Sequence, residues 1–126
     1  MSSSAGRYGC PNRSPYVAAK WAAIGLTQTW AMELGPWNIR VNALCPGSVG
    51  GERIERVIQK DAEERGVDPD AIRTVYQRQS SLRAFASAED IAAMVCFLAG
   101  PGGRMISGQT IGIDGHTESL ANWLDD

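Results

Sequence analysis

Residues Ser2–Lys20 have the sequence SSSAGRYGCPNRSPYVAAK, which combines a run of serines, a turn-rich loop and the start of a helix. The segment ends with Tyr16 and Lys20, which are four residues apart. Residues with this spacing share one helix face, so we expect the phenol and the ammonium to be neighbours. The serines precede a glycine-containing turn, where a strand would pass into a loop. The stretch therefore predicts an acid/base site.

The predicted chemistry depends on the charge state of Tyr16. A tyrosine phenol is protonated at neutral pH, and a nearby lysine ammonium stabilises the phenolate. Tyr16 could then exchange a proton with a substrate oxygen. The Tyr-x-x-x-Lys spacing is weak evidence by itself, because lysine is a common residue. The prediction depends on agreement with other segments of the chain.

Three further features have the motifs, order and spacing of one enzyme family. Ser3 stands thirteen residues before Tyr16, and Gly6 stands three residues after that serine. Ile39–Gly47 ends in Asn-x-x-x-Pro-Gly, and Ile106–Gly115 is typical of a last strand with its lead-in. With these motifs, the chain resembles the short-chain dehydrogenase/reductase family over almost its whole length.

The resemblance implies an α/β fold, as the C-terminal half of a doubly wound parallel sheet of the Rossmann type. It also implies a NAD(P)-dependent oxidoreductase that interconverts a secondary alcohol and a ketone. Ser3, Tyr16 and Lys20 would be catalytic: Ser3 would bind the substrate oxygen, Tyr16 would exchange the proton, and Lys20 would also bind the nicotinamide ribose. The implied cofactor-binding residues are Tyr16, Lys20, Pro46, Gly47, Ser48 and Val49.

Two details of this site stay open in the sequence. Ser2 and Ser4 flank Ser3, and neighbouring strand residues face opposite ways, so only the family spacing selects Ser3. A threonine that is frequent in the family, four residues after the glycine of Pro-Gly, is Gly51 here. The usual hydroxyl contact to the cofactor is therefore in doubt.

The sequence lacks the family's Gly-x-x-x-Gly-x-Gly turn, which binds the dinucleotide pyrophosphate. The residue that selects NAD or NADP and the Asn-Ala-Gly segment are also missing. We therefore expect that Met1 is internal to a longer protein or that the gene is truncated. The alternative to an enzyme is an inactive fragment that acts only in interaction or dimerisation, or that has no function.

Composition limits the remaining classes of function. The 126 residues carry a net charge of −2 without a basic stripe, so no nucleic-acid partner is expected. The longest apolar run, Ile91–Ala99, is too short to span a bilayer, and no secretory signal is visible. Three cysteines without a Cys-x-x-Cys pair indicate a reduced, cytoplasmic protein. With one histidine, no metal site is expected.

The pattern of apolar residues and turn signals predicts one partial domain, residues 1–126. Its predicted elements are a strand remnant at Ser2–Ser4, a helix Pro15–Leu34 capped by Ser14, a buried parallel strand Ile39–Leu44, helices Glu52–Arg65 and Asp68 to about Gln79, a helix from the capping box Ser87–Asp90 through Leu98, and a last strand Thr110–Asp114.

Two of these helices form an insertion at about residues 50–81, which resembles the family's mobile substrate lid. Val57, Ile72 and Tyr76 would give the substrate site an apolar component. The alternative is a solvated helical hairpin without a role in binding, because charged amphipathic helices are common. By resemblance, the long first helix packs against its copy in a second subunit, which implies a homo-dimer or tetramer. The substrate would be a small alcohol or ketone.

Overall fold

A parallel sheet of two strands connects the middle and the end of the chain in the computed structural model, which describes residues 1–122 and residue 124. Strand β1, Ala43–Pro46, pairs with β2, Thr110–Ile113, with Ala43 opposite Thr110 and Pro46 opposite Ile113. The helices are α1 Ser14–Leu34, α2 Glu52–Arg65, α3 Pro69–Arg78 and α4 Ala88–Ala99, and short 3-10 turns occupy Ser4–Gly6, Gly35–Trp37 and Pro101–Gly103. The predicted α/β class with parallel pairing is confirmed.

Strand β1 begins later than the sequence predicts, at Ala43 and not at Ile39. The residues before it are held by side-chain hydrogen bonds to the segment that leads into β2. Arg40 Nη1 donates to the Gly103 carbonyl at 2.9 Å, and Asn42 Nδ2 donates to the Ile106 carbonyl at 2.8 Å. These bonds take the place of a regular ladder, so the extended segment is longer than the strand. Strand β2 likewise ends at Ile113, one residue before the predicted Asp114.

The predicted strand remnant at Ser2–Ser4 is not a strand. One backbone bond, from the Ser2 amide to the Leu44 carbonyl at 2.8 Å, places the segment beside β1. Ser4–Gly6 then turns into a 3-10 helix, with the Ser3 side chain as its N-terminal cap. The ladder ends there because the serine hydroxyl accepts a bond from the Ala5 amide.

Helix α1 is largely exposed, and Thr27 is its one buried residue. The predicted serine cap is wrong: Arg13 occupies the N-cap without a side-chain bond, Ser14 is the first helical residue, and Pro15 follows it. The apolar side chains of α1 lie all around the helix, and Trp21, Leu26, Trp30 and Met32 are exposed. Even so, within the described residues no helix combines the length and the apolar character needed to cross a bilayer.

Helices α2 and α3 form a hairpin with its own apolar cluster. Ile54, Ile58 and Ala62 of α2 pack with Ile72 of α3. The side chain of Asp68 caps α3 by accepting a bond from the Asp70 amide at 2.8 Å. The predicted helical pair is confirmed, although α3 ends at Arg78 and not at Gln79.

Helix α4 begins with the predicted capping box. The Ser87 hydroxyl accepts a bond from the Asp90 amide at 3.1 Å, and the Asp90 carboxylate accepts one from the Ser87 amide at 2.7 Å. These hydrogen bonds, first of all the one from the Ser87 backbone, lower the pKa of Asp90. Because the pKa is depressed, the box stabilises the helix above the ordinary pKa of an aspartate and weakens as the carboxylate is protonated.

Shortening Ile72 tests the importance of the hairpin cluster. Ile72 is fully buried, at 0% exposure, so Ile72→Val is expected to lower the free energy of unfolding by about 1 kcal/mol. Ile39→Val removes the same methyl group from a side chain that is 48% exposed, and its effect should be much smaller. Urea unfolding of both variants measures the difference. Equal losses would show that the cluster does not contribute specifically.

Candidate active site

A cavity of about 330 Å³ brings together residues that are far apart in the sequence. It is lined by the N-terminal serine segment, the start of α1, the loop after β1 and the α2–α3 hairpin. All sequence-predicted site residues line it: Ser3, Tyr16, Lys20, Pro46, Gly47, Ser48 and Val49. The spacing of residues in the sequence does not show by itself that these distant segments meet in one cavity.

Tyr16 and Lys20 are neighbours in the first turns of α1, as their spacing predicts. The ammonium nitrogen of Lys20 lies 5.4 Å from the centroid of the Tyr16 ring. It donates one hydrogen bond to the Met1 carbonyl at 3.3 Å. An ammonium group has three hydrogens, so two remain for other partners. Tyr16 and Lys20 thus bring a hydroxyl group and a positive charge to the same part of the cavity.

The three serine hydroxyls have different partners. Ser2 donates to the Lys20 carbonyl at 2.8 Å, and Ser4 donates to the Pro46 carbonyl at 3.0 Å. Ser3 instead accepts a bond from the Ala5 amide at 3.2 Å, which leaves its proton uncommitted among the described residues. Ser2 and Ser4 are buried, whereas Ser3 is partly exposed in the cavity. Among the three, Ser3 is thus the serine that can donate to a ligand.

Gly6 permits the close approach of the serine segment to α1. A methyl group on Gly6 would lie 2.8 Å from the Lys20 carbonyl oxygen and would overlap the Ser2 hydroxyl. The hydrogen bond from Ser2 to Lys20 crosses at the same point. Gly6 therefore fixes the position of Ser3 relative to the helix that carries Tyr16 and Lys20.

The loop after β1 lines the cavity with residues whose backbone amides differ in their partners. The Gly47 amide donates to the Ile113 carbonyl at 3.0 Å, and the Ser48 carbonyl accepts from the Ala86 amide at 3.0 Å. In the described part of the chain, the amides of Ser48 and Val49 have no such partner. With the spare hydrogens of Lys20, they form a donor set that suits a ribose and a carboxamide, which are rich in acceptors.

An ion pair behind this loop was missed by the sequence interpretation. The carboxylate of Asp114 lies 3.6 Å from Nη1 of Arg7, and its side chain is 8% exposed. A methyl group on Gly47 would lie 3.0 Å from Asp114, so the glycine allows the two segments to pass closely. A signal was present, since Pro46 and Asp114 end or follow adjacent parallel strands and such ends meet at one edge.

The α2–α3 hairpin forms one side of the cavity and corrects one predicted contact. Val57 and Tyr76 line the cavity, as expected, but Ile72 does not, because it is buried inside the hairpin. Burial is the main cause of the raised pKa of Tyr76, and the charge of Asp61 adds to it. Further lining residues were not predicted: Arg13, Arg53, Ile54, Phe85, Leu120 and Asn122.

The three cysteines lie in different surroundings within the described residues. Cys10 lines the cavity, Cys45 is buried in β1 and Cys96 is exposed, and all three are free. Burial raises the pKa of Cys45, which disfavours the thiolate. Over residues 1–122 and 124, the structure places no group of three His, Cys, Asp or Glu residues where they could hold a metal ion.

Comparison with known proteins identifies the family. A family model described as enoyl-(acyl carrier protein) reductase matches residues 1–116. The chain belongs to the short-chain dehydrogenase/reductase family. Its sequence is 36% identical over 115 residues to 3-oxoacyl-(acyl-carrier-protein) reductase FabG of Thermotoga maritima, an alignment that covers 91% of this chain and 42% of that protein.

Solved structures agree with this family and with the Rossmann-like fold. A short-chain dehydrogenase family protein of Francisella tularensis superposes with a TM-score of 0.85 at 31% identity, over 90% of this chain and 47% of that one. NAD+-bound xylitol dehydrogenase superposes with a TM-score of 0.83 at 33% identity, over 91% and 46% of the two chains. The chain thus spans less than half of the length of these relatives.

Proposed function

We propose that the chain carries the catalytic half of a NAD(P)-dependent oxidoreductase that interconverts a secondary alcohol and a ketone. The observation that carries the proposal is the meeting of Ser3, Tyr16 and Lys20 in one cavity with the Pro46–Val49 loop. Membership of a family of oxidoreductases supports the same class of reaction. The proposed catalytic residues are Ser3, Tyr16 and Lys20.

In the proposed mechanism, Tyr16 transfers the proton. During ketone reduction its phenol donates a proton to the carbonyl oxygen, and during alcohol oxidation its phenolate removes the hydroxyl proton. Lys20 stabilises the phenolate through its charge. Ser3 donates a hydrogen bond to the same substrate oxygen, for which its proton is available. A bound nicotinamide cofactor supplies or accepts the hydride.

The cofactor would be held by Lys20 and by the loop after β1. In this proposal, Lys20 has two hydrogens for the ribose hydroxyls, and the amides of Ser48 and Val49 would bind the carboxamide. The proposal includes both NAD and NADP, since solved relatives hold NAD, NADH or NADPH. We place the pyrophosphate-binding turn outside these 126 residues, because the sequence contains no such turn.

An inactive fragment is the second candidate, and the small sheet favours it. Two strands and a largely exposed α1 leave apolar surface uncovered in the described residues, among it Trp21 and Trp30. We propose that further chain or a second copy covers this surface, in a homo-dimer or tetramer.

Three free cysteines support the proposed cytoplasmic location. The proposed covering of the exposed apolar surface by further chain or a second copy would be contradicted if the isolated chain unfolded cooperatively on heating as a monomer.

Two serine variants distinguish a catalytic site from an inactive fragment. Ser3→Ala is expected to reduce kcat/KM for NAD(P)-linked ketone reduction by about tenfold or more, because a hydrogen bond to the substrate oxygen is lost. Ser4→Ala is the matched control: it removes the bond to the Pro46 carbonyl, so it should act mainly on stability. Steady-state kinetics and thermal unfolding of both variants make the test. A larger kinetic effect of Ser4→Ala would contradict the assignment.

A further inference from the structure

We infer that the substrate carries a carboxylate and that Arg13 binds it. This inference depends on the proposed function, since it concerns the substrate of the same cavity. It begins from the charged residues that line the cavity, which are Arg13, Lys20, Arg53 and Asp114 among the described residues. Asp114 is buried beside Arg7, which offsets its charge. The remaining lining charges are all positive, so the cavity favours an anion.

Two arginines of the hairpin are held by acidic partners, and Arg13 differs from them in this respect. Arg65 Nε binds Asp61 at 2.6 Å, and Arg73 makes a two-pronged bond to Glu55. In the described part of the chain, the side chain of Arg13 has no hydrogen bond and no ion pair. A guanidinium group that lines a cavity in this way can form a paired bond with a carboxylate.

The position of Arg13 suits a substrate contact. It is the N-cap of α1, three residues before Tyr16, and both residues line the cavity. Cys10 of the loop before α1 and Tyr76 of α3 line the same cavity. Arg13 therefore shares the cavity with both the loop before α1 and the hairpin.

Arg53 is less specific. It is the second residue of α2 and follows Val49 by four residues, so it lies close in the chain to the segment proposed to hold the nicotinamide. Its charge can serve a cofactor phosphate as well as a substrate. Arg13 belongs to the opposite segment of the lining, before the proton-transferring tyrosine. The two ends of a keto acid, carbonyl and carboxylate, would then face Tyr16 and Arg13.

The test measures binding and does not require turnover. The protein isolated from its source is titrated calorimetrically with acetoacetate and with levulinate, each beside its methyl ester, in the presence of the oxidised cofactor. At least one acid is expected to bind more tightly than its ester. Arg13→Gln should weaken binding of that acid by about tenfold and leave the ester unchanged, because the charge-assisted bond is lost.

Two variants make the outcome specific. Arg56→Gln removes an exposed charge of α2 outside the cavity lining, and it should change neither acid nor ester binding. Tyr16→Phe should keep the preference for the acid while turnover is lost, so the inference and the proposed function can fail separately. Ester binding equal to acid binding, or an equal loss of both in Arg13→Gln, would overturn the carboxylate site even if ketones are reduced.

Discussion

Replacing Tyr16 with phenylalanine is expected to reduce NAD(P)-linked turnover by about a thousandfold, with little change in stability. The ring stays in the cavity beside Lys20, and only the hydroxyl that carries the proton is removed. Without it, no group transfers a proton to the substrate oxygen during reduction or removes one during oxidation, although the hydrogen bond from Ser3 remains. Steady-state assays of the protein from its source measure kcat, and circular dichroism confirms that the variant folds.

The matched control for Tyr16→Phe is Tyr8→Phe. Tyr8 lies outside the cavity lining, with the guanidinium carbon of Arg7 5.4 Å from its ring centroid. Removing its hydroxyl should leave kcat unchanged within experimental error. Similar losses in both variants would point to a general effect of tyrosine hydroxyls on the fold, and it would contradict a specific proton transfer by Tyr16.

Gly6→Ala is expected to reduce turnover by about a hundredfold, although Gly6 touches no substrate. The added methyl group would lie 2.8 Å from the Lys20 carbonyl oxygen, a backbone atom that cannot move without shifting α1. The serine segment would have to withdraw, so Ser3 would shift within the cavity that it shares with Tyr16. A misplacement of about 1 Å in a catalytic group can cost this much in rate.

Gly9→Ala is the control for this steric argument. No atom lies within 4 Å of a methyl group at Gly9, and neither glycine has a positive φ. The two variants therefore differ in the room available for the added methyl group and not in backbone strain. Gly9→Ala should keep both kcat and the melting temperature, whereas Gly6→Ala should lower kcat and destabilise the fold. If Gly6→Ala were as active as Gly9→Ala, the close contact with Lys20 would not position the site.

The meeting of Tyr16 and Lys20 could be predicted from the sequence, because the two residues lie one turn apart on one helix. The spacing of Tyr16 and Lys20 gives their shared face without any knowledge of the fold. The Pro46–Val49 loop was predicted from a family motif, and the cavity does include it. The capping box at Ser87 and Asp90 was equally accessible, since it depends only on local hydrogen bonds.

What could not be predicted depends on contacts between distant segments. Strand β1 begins at Ala43 and not at Ile39, because the side chains of Arg40 and Asn42 bond to residues far along the chain. Asn42 and its partner Ile106 are 64 residues apart. Ile72 is apolar, as a residue of the substrate lid would be, but its side chain is buried in the apolar cluster between α2 and α3. Periodicity gives a buried face and does not say which neighbour buries it.

Arg13 illustrates the same limit for the site. In the sequence it lies in a loop with Gly, Pro and Asn, where a charged residue usually faces solvent. Arg13 is exposed in the structure as well, but it also lines the cavity together with Tyr76 of α3, and the sequence does not show that the two segments meet. The choice of Ser3 among the three serines has the same limit. It depends on the distant carbonyl groups to which Ser2 and Ser4 donate their hydrogen bonds.

The most direct test of the central claim is hydride transfer followed with deuterium. The protein from its source is incubated with nicotinamide cofactor that carries deuterium at the transferring carbon, together with acetoacetate, diacetyl and cyclohexanone. The account predicts that deuterium appears on the carbinol carbon of at least one product, and that Tyr16→Phe transfers it about a thousandfold more slowly. Equal transfer rates in the two proteins, or no transfer to any ketone by the unaltered protein, would contradict it.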